Sequence, residues 1–148
     1  MRSFEFGNGN RDLAIVTVDC KIKWYSLAKY EGQILREITS VHRACISSIG
    51  MSNNSGFMLT GGEDNMLKVW DYEADKTLPY FYQCFIGHTG TINSLMFNKR
   101  NNQQVFSCGP KDGLYIWSFY GDTKTPFHYA SERPEKDANL SAMSASKN

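Results

Sequence analysis

The sequence predicts an all-β chain built from about three four-stranded antiparallel units, and three observations carry that expectation. Short runs rich in β-branched and aromatic residues alternate at period two and are bounded by Gly, Asn and Asp. A pattern returns every 46 or 47 residues, marked by Trp24, Trp70 and Trp117 and by His42 and His88. No stretch carries a helical apolar stripe.

Taken in order, the first hairpin pairs LAIVTV (13–18) with KIKWYSL (21–27) across a turn at Asp19. QILREI (33–38) and ACISSIGM (44–51) follow as two further strands. FMLTGG (57–62) and MLKVWDY (66–72) form the second hairpin, around Asp64, with YFYQCF (80–85) and TINSLMF (91–97) after it. QVFSCG (104–109) and GLYIWSF (113–119) form the third, around Asp112. The connections GNGN (7–10), SNNSG (52–56) and NKRNN (98–102) have the turn chemistry that hairpins need. The expected units are 1–38, a degenerate first copy, 39–85, and 86–120, the last with its outer strand in question. Residues 121–148 lose the periodicity, carry four acidic and four basic side chains, and read as a polar, disordered tail, although PFHYA (126–130) could add an edge strand.

Composition narrows the function classes. The 148 residues are 41% hydrophobic and 14% aromatic, enough for a packed core, and the net charge is +1. Bulk charge therefore gives no support for nucleic-acid or membrane-surface binding. Cys20, Cys45, Cys84 and Cys108 form no CxxC pair and have no His at ligand spacing, so they read as reduced, mostly buried thiols, with no metal or cofactor expected. The N-terminus has no signal-peptide apolar core and the longest apolar run is too short to span a bilayer, which leads to the expectation of an intracellular chain.

The stretch LTGGEDNMLKVWDY (59–72), preceded by SVH (40–42), resembles the WD40 repeat, and the third unit repeats it with FIGH (85–88) and GLYIWSF. The resemblance covers residues 2–119 and implies blades of a β-propeller. It also implies a hydrogen-bonded chain within each blade, made by the loop His, a strand Ser or Thr, the turn Asp and the Trp. Carried over, these are His42, Thr60, Asp64 and Trp70 in the second unit, and His88, Ser107, Asp112 and Trp117 in the third. Asp112 lies five residues before its Trp where Asp64 lies six before, and Lys111 takes the expected Asp position, which argues against a closed network in the third unit. In the first unit the spacing from Asp19 puts Tyr25 in the Trp position, with no hydroxyl at the matching place.

A His, a hydroxyl and an Asp together invite a hydrolase reading. Thr60 sits within an apolar strand, however, and the trio recurs, so a structural network is the better reading and no catalytic residue is assigned. Tyr80 and Tyr82 in an aromatic outer strand, and Lys99 and Arg100 in a hairpin loop, are the candidate partner-binding residues. Three units are fewer than the four or more blades of closed propellers, so the expected partners include the rest of a propeller or a chain that completes it. The similarity of LKVWDY, FIGH and GLYIWSF to the last blades of centriolar and ciliary WD-repeat proteins implies a non-enzymatic cytoskeletal scaffold. Tubulin or other axonemal proteins would be its partners, in a cilium or centriole. A WD-repeat adaptor of another pathway, such as a ubiquitin-ligase substrate receptor or a signalling scaffold, is the alternative.

Overall fold

A computed structural model describes residues 1–7, 9–27, 34–53, 56–72, 80–100 and 103–118. Its described elements are eleven strands in three antiparallel sheets. The first blade contains β1 (Ser3–Gly7), β2 (Asp12–Val16), β3 (Ile22–Ser26) and β4 (Ile34–Ile38). The second contains β5 (Ile46–Met51), β6 (Phe57–Gly62), β7 (Met66–Asp71) and β8 (Tyr80–Ile86). The third has β9 (Ser94–Phe97), β10 (Gln104–Gly109) and β11 (Gly113–Ser118). Within each sheet the strands lie in chain order, and β1, β5 and β9 sit side by side on the inner edge of a fan of blades. Each sheet is therefore a meander, and the β2–β3, β6–β7 and β10–β11 turns make its central hairpins.

Strand β1 has no counterpart among the runs read as strands, although the alternation of Phe4 and Phe6 marks it. Strands β5 and β9 begin two and three residues later than ACISSIGM and TINSLMF do, because Cys45 and Thr91–Asn93 belong to the connections. The expected tail, 121–148, and the PFHYA run lie outside the described residues.

Alternation along each strand builds two interblade cores rather than one. Ala14, Val16, Ile22 and Trp24 of the first blade meet Val41, Ile46, Ile49, Met58, Trp70 and Tyr72. On the opposite face of the second blade, Leu59, Leu67, Val69 and Phe85 meet Ile92, Leu95, Phe97, Val105, Tyr115 and Trp117 of the third. The second blade is thus covered on both sides, and five of the six residues of β6 are buried. Among the described residues, the outer blades each keep one open face. Phe4 and Phe6 are 49% and 45% exposed, in register with Ile15 and Leu13, and Leu13 pairs in turn with Tyr25. On the far side of the third blade Met96 and Ile116, 41% and 44% exposed, flank Phe106 in register.

Gly61 sets how close the second and third blades approach. A Cβ there would lie 2.8 Å from both Ile92 Cγ2 and Ser48 Oγ, and 3.0 Å from Leu95 Cδ2. Gly61→Ala is therefore expected to lower stability by about 1–3 kcal/mol, the cost of overpacking a filled core, read as a fall in the denaturation midpoint. An unchanged midpoint would mean that the blades are not in close contact at this position.

Candidate functional site

The sites with the most defined chemistry are the two side-chain networks at the rim of the second and third blades. His42 lies in the connection between β4 and β5, Thr60 on β6, Asp64 in the β6–β7 turn and Trp70 on β7. The Trp70 indole N–H donates to Thr60 Oγ1 at 2.9 Å, and Thr60 Oγ1 is 2.8 Å from His42 Nε2. His42 Nδ1 is 2.8 Å from Asp64 Oδ1, while Asp64 also accepts the backbone N–H groups of Arg43 at 3.0 Å and Met66 at 3.3 Å. Only one proton arrangement satisfies every member: Trp70 donates to Thr60, the hydroxyl donates to His42 Nε2, and His42 Nδ1–H donates to the carboxylate.

The electrostatics agree with a neutral imidazole. Burial is the largest influence on His42 and holds it below its usual pKa, although Asp64 pulls the other way. Burial pushes the Asp64 carboxyl up, but the Arg43 N–H and His42 outweigh it and leave Asp64 below the usual carboxylate range. The short His42–Asp64 contact is therefore a hydrogen bond from a neutral ring rather than an ion pair.

In the third blade the four side chains join despite the altered spacing. Trp117 Nε1 donates to Ser107 Oγ at 2.7 Å, Ser107 Oγ is 2.8 Å from His88 Nε2, and His88 Nδ1 is 3.3 Å from Asp112 Oδ2. The expectation of an open network thus does not match the geometry, and the reason lies in the turn. Asp64 immediately precedes a left-handed residue, Asn65 (φ 64°), and Asp112 immediately precedes Gly113 (φ 78°). The left-handed residue, rather than the count back from Trp, fixes where the carboxylate points. Thr89, unnoticed in the sequence, holds Asp112 with its hydroxyl and with its backbone N–H at 2.7 Å, and Gly90 N–H adds a contact at 3.2 Å.

The first blade departs more. Trp24, not Tyr25, takes the Trp position, because Trp24 pairs with Ala14 as Trp70 pairs with Met58, whereas Tyr25 pairs with Leu13 on the opposite face. Val16 then occupies the hydroxyl position, and the fully buried Trp24 indole N–H has no hydrogen-bond partner among the described residues. Instead the Arg36 guanidinium lies 5.7 Å from the Trp24 ring centre and 4.8 Å from that of Tyr72. The Tyr72 hydroxyl donates to Asp12 across the blade seam at 3.3 Å, and burial pushes Tyr72 up to about 12.

Thr60 and Ser107 are 0% and 1% exposed, with both hydroxyls engaged within the networks, so neither is presented as a nucleophile. Among the described residues no group of three or more His, Cys, Asp or Glu side chains could hold a metal ion, and no helix is long and apolar enough to cross a membrane. The four cysteines are half-buried rather than buried. Tyr82 is half-buried and packs edge-on against Phe57 at 5.6 Å, while the side chain of Tyr80 lies outside the described residues. Lys99 and Arg100 are exposed at the β9–β10 turn, where Asn98 Oδ1 accepts the Arg100 N–H at 3.0 Å.

Antiparallel blades, two of them tied at the rim by His, a hydroxyl, Asp and Trp, define the class: these are WD40 blades of the β-propeller type, and residues 32–71 match the family model described as WD domain, G-beta repeat. The chain is 38% identical over 107 residues to WD repeat-containing protein 90 of Xenopus tropicalis, a match covering 72% of this chain and 5% of that protein. It is 25% identical over 101 residues to Cilia- and flagella-associated protein 52 of Mus musculus, covering 68% of this chain and 15% of that protein. The match thus spans only a small part of the length of these curated relatives. A solved structure described as the crystal structure of RRP9 WD40 repeats superposes with a TM-score of 0.70 over 79% of this chain and 34% of that one, at 16% identity, a likeness of fold alone.

Two outcomes follow from the networks. Trp70→Phe and Trp117→Phe should each destabilise by about 1 kcal/mol more than Trp24→Phe, because only the first two break an indole hydrogen bond; equal shifts in denaturation midpoint would contradict the assignment. The second concerns pH. Buried His42 and His88 both stay neutral below the usual value of 6.5, so the unfolded chain binds more protons as the medium acidifies. Their contribution to stability is full above about pH 6.5 and falls as pH drops from there toward their folded-state values. Thermal melts between pH 7.5 and 5 should show the melting temperature falling, and the double variant His42→Gln/His88→Gln should flatten that slope.

Proposed function

We propose that this chain is a set of blades in a non-enzymatic WD-repeat scaffold of the cilium or centriole, cytoplasmic and associated with microtubules. The observation that carries the scaffold reading is the pair of open apolar faces, Phe4, Phe6, Leu13 and Ile15 on one side and Met96, Phe106 and Ile116 on the other. Each face has the residue types that elsewhere in the chain form an interblade core, and covering each would contribute on the order of 5 kcal/mol. The occupants that fit are further blades of the same kind, supplied by the same polypeptide or by a chain that completes it. The rim, the outer strands and the turn bearing Lys99 and Arg100 then remain for protein partners, the mode of action general to WD40 domains. The ciliary assignment is supported by the name of the flagella-associated relative and by the similarity of the last two units to ciliary WD-repeat proteins.

Two measurements test this. Expressed by itself, the chain is expected to sediment as oligomers or aggregate; a soluble, cooperatively melting monomer of 16.8 kDa would remove the case for missing blades. In its native polypeptide, co-sedimentation with microtubules should weaken several-fold on Lys99→Glu/Arg100→Glu if an acidic tubulin surface meets this turn. Absence of any co-sedimentation or tubulin copurification would instead favour an adaptor of another pathway.

A further inference from the structure

Cys20 and Cys45 are 25 residues apart and belong to different blades, yet their sulfurs lie 3.0 Å apart. Cys20 is the left-handed residue of the β2–β3 turn (φ 61°), where its N–H donates to Thr17 O at 3.2 Å. Cys45 closes the connection into β5, and its carbonyl accepts the Glu63 N–H at 2.8 Å. The backbone of each residue is therefore anchored at one point, and both side chains are half-exposed at the seam. Arg2, in an ion pair with Glu63 at 2.5 Å, crosses the same seam, and its positive charge acts on both sulfurs. Neither Cys84 nor Cys108 has a second sulfur within hydrogen-bond distance among the described residues.

We propose that Cys20 and Cys45 form a reversible disulfide under peroxide, an oxidation site that staples the first blade to the second. A disulfide needs a sulfur separation of about 2 Å, so closure asks for a movement of about 1 Å at a turn tip and a connection, neither of which is held in a strand ladder. The Cys20 S–H donates to Cys45, so the Cys45 sulfur is the acceptor of that bond and the one that attacks. Cys45 attacks one oxygen of hydrogen peroxide and the O–O bond breaks, giving a sulfenic acid while the Cys45 proton leaves with the other oxygen as water. Cys20 then attacks the Cys45 sulfur. The S–S bond forms, the S–O bond breaks, and the hydroxide departs as water with the Cys20 proton. Two electrons pass from the two sulfurs to the peroxide, and a small thiol such as glutathione reverses the reaction by exchange. Because Cys45 stands three residues after His42, the bond would clamp the connection that feeds the second blade's network.

The test is a peptide map of the native polypeptide after brief treatment with hydrogen peroxide and quenching with an alkylating agent. Trypsin leaves Cys20 in 12–21 and Cys45 in 44–68. The expected result is one linked pair of these peptides, formed in the folded protein, lost on reduction, and formed before Cys84 or Cys108 is oxidised. In Cys20→Ser the Cys45 sulfenic acid should accumulate and be captured by dimedone. Absence of the linked pair from the folded wild-type protein, or its formation only in urea, overturns the proposal whether or not the variant folds.

Discussion

The structure depends on a buried hydroxyl that has two partners. Thr60 is fully enclosed and holds the indole N–H of Trp70 on one side and the imidazole of His42 on the other. Because His42 belongs to the connection arriving from the first blade, this hydroxyl joins the entry of the second blade to its central hairpin. Removing one member leaves the next as an unpaired buried polar group, so the residue types are interdependent. Lys68 adds a further tie by donating to the Val41 carbonyl at 2.7 Å. The close fit also explains a glycine: a Cβ on Gly62 would come within 2.4 Å of Asp64 Oδ1 and 2.6 Å of His42 Nδ1.

The first blade shows what replaces the network where the hydroxyl is missing. With Val16 in that position no His–Asp chain reaches Trp24, and the ring is held by packing and by Arg36 instead. Arg36 lies over Trp24 of its own blade and over Tyr72 of the next, and Tyr72 reaches back to Asp12. Stabilisation there runs across the seam rather than within the blade. The Arg2–Glu63 pair and the two neighbouring thiols lie on that same boundary.

Among the described residues, two interblade interfaces are covered and two outer faces are open. The central blade buries Leu59, Val69, Met58 and Trp70 on its two sides, whereas the outer faces leave Phe4, Phe6, Met96 and Ile116 in water. This asymmetry, with the small share of its relatives that the match spans, connects the fold to the scaffold function proposed for it. In the function proposed above, that apolar surface receives further blades and the polar rim is left for partners.

The 46- and 47-residue repeat, the period-two runs and the Asp-containing turns determined the strand order and the meander, because each is a local pattern on one chain segment, and the resemblance to the WD40 repeat implied the membership of the second network. The closure of the third network was legible only in the backbone. Its turn shifts by one residue, and the left-handed Gly113 restores the aim of Asp112, which a count of residues to Trp117 cannot reveal. For the same reason the spacing from Asp19 favoured Tyr25, while pairing with Ala14 gives the Trp position to Trp24; the hairpin spans ten residues from Ala14 to Trp24 against twelve from Met58 to Trp70, and register follows hydrogen bonds rather than numbering. What only the tertiary structure decided are the contacts between blades: Arg36 over two aromatic rings, Arg2 on Glu63, and Cys20 against Cys45. Each joins residues far apart in the chain whose separation carries no periodic signal, so packing of one twisted sheet on the next had to bring them together.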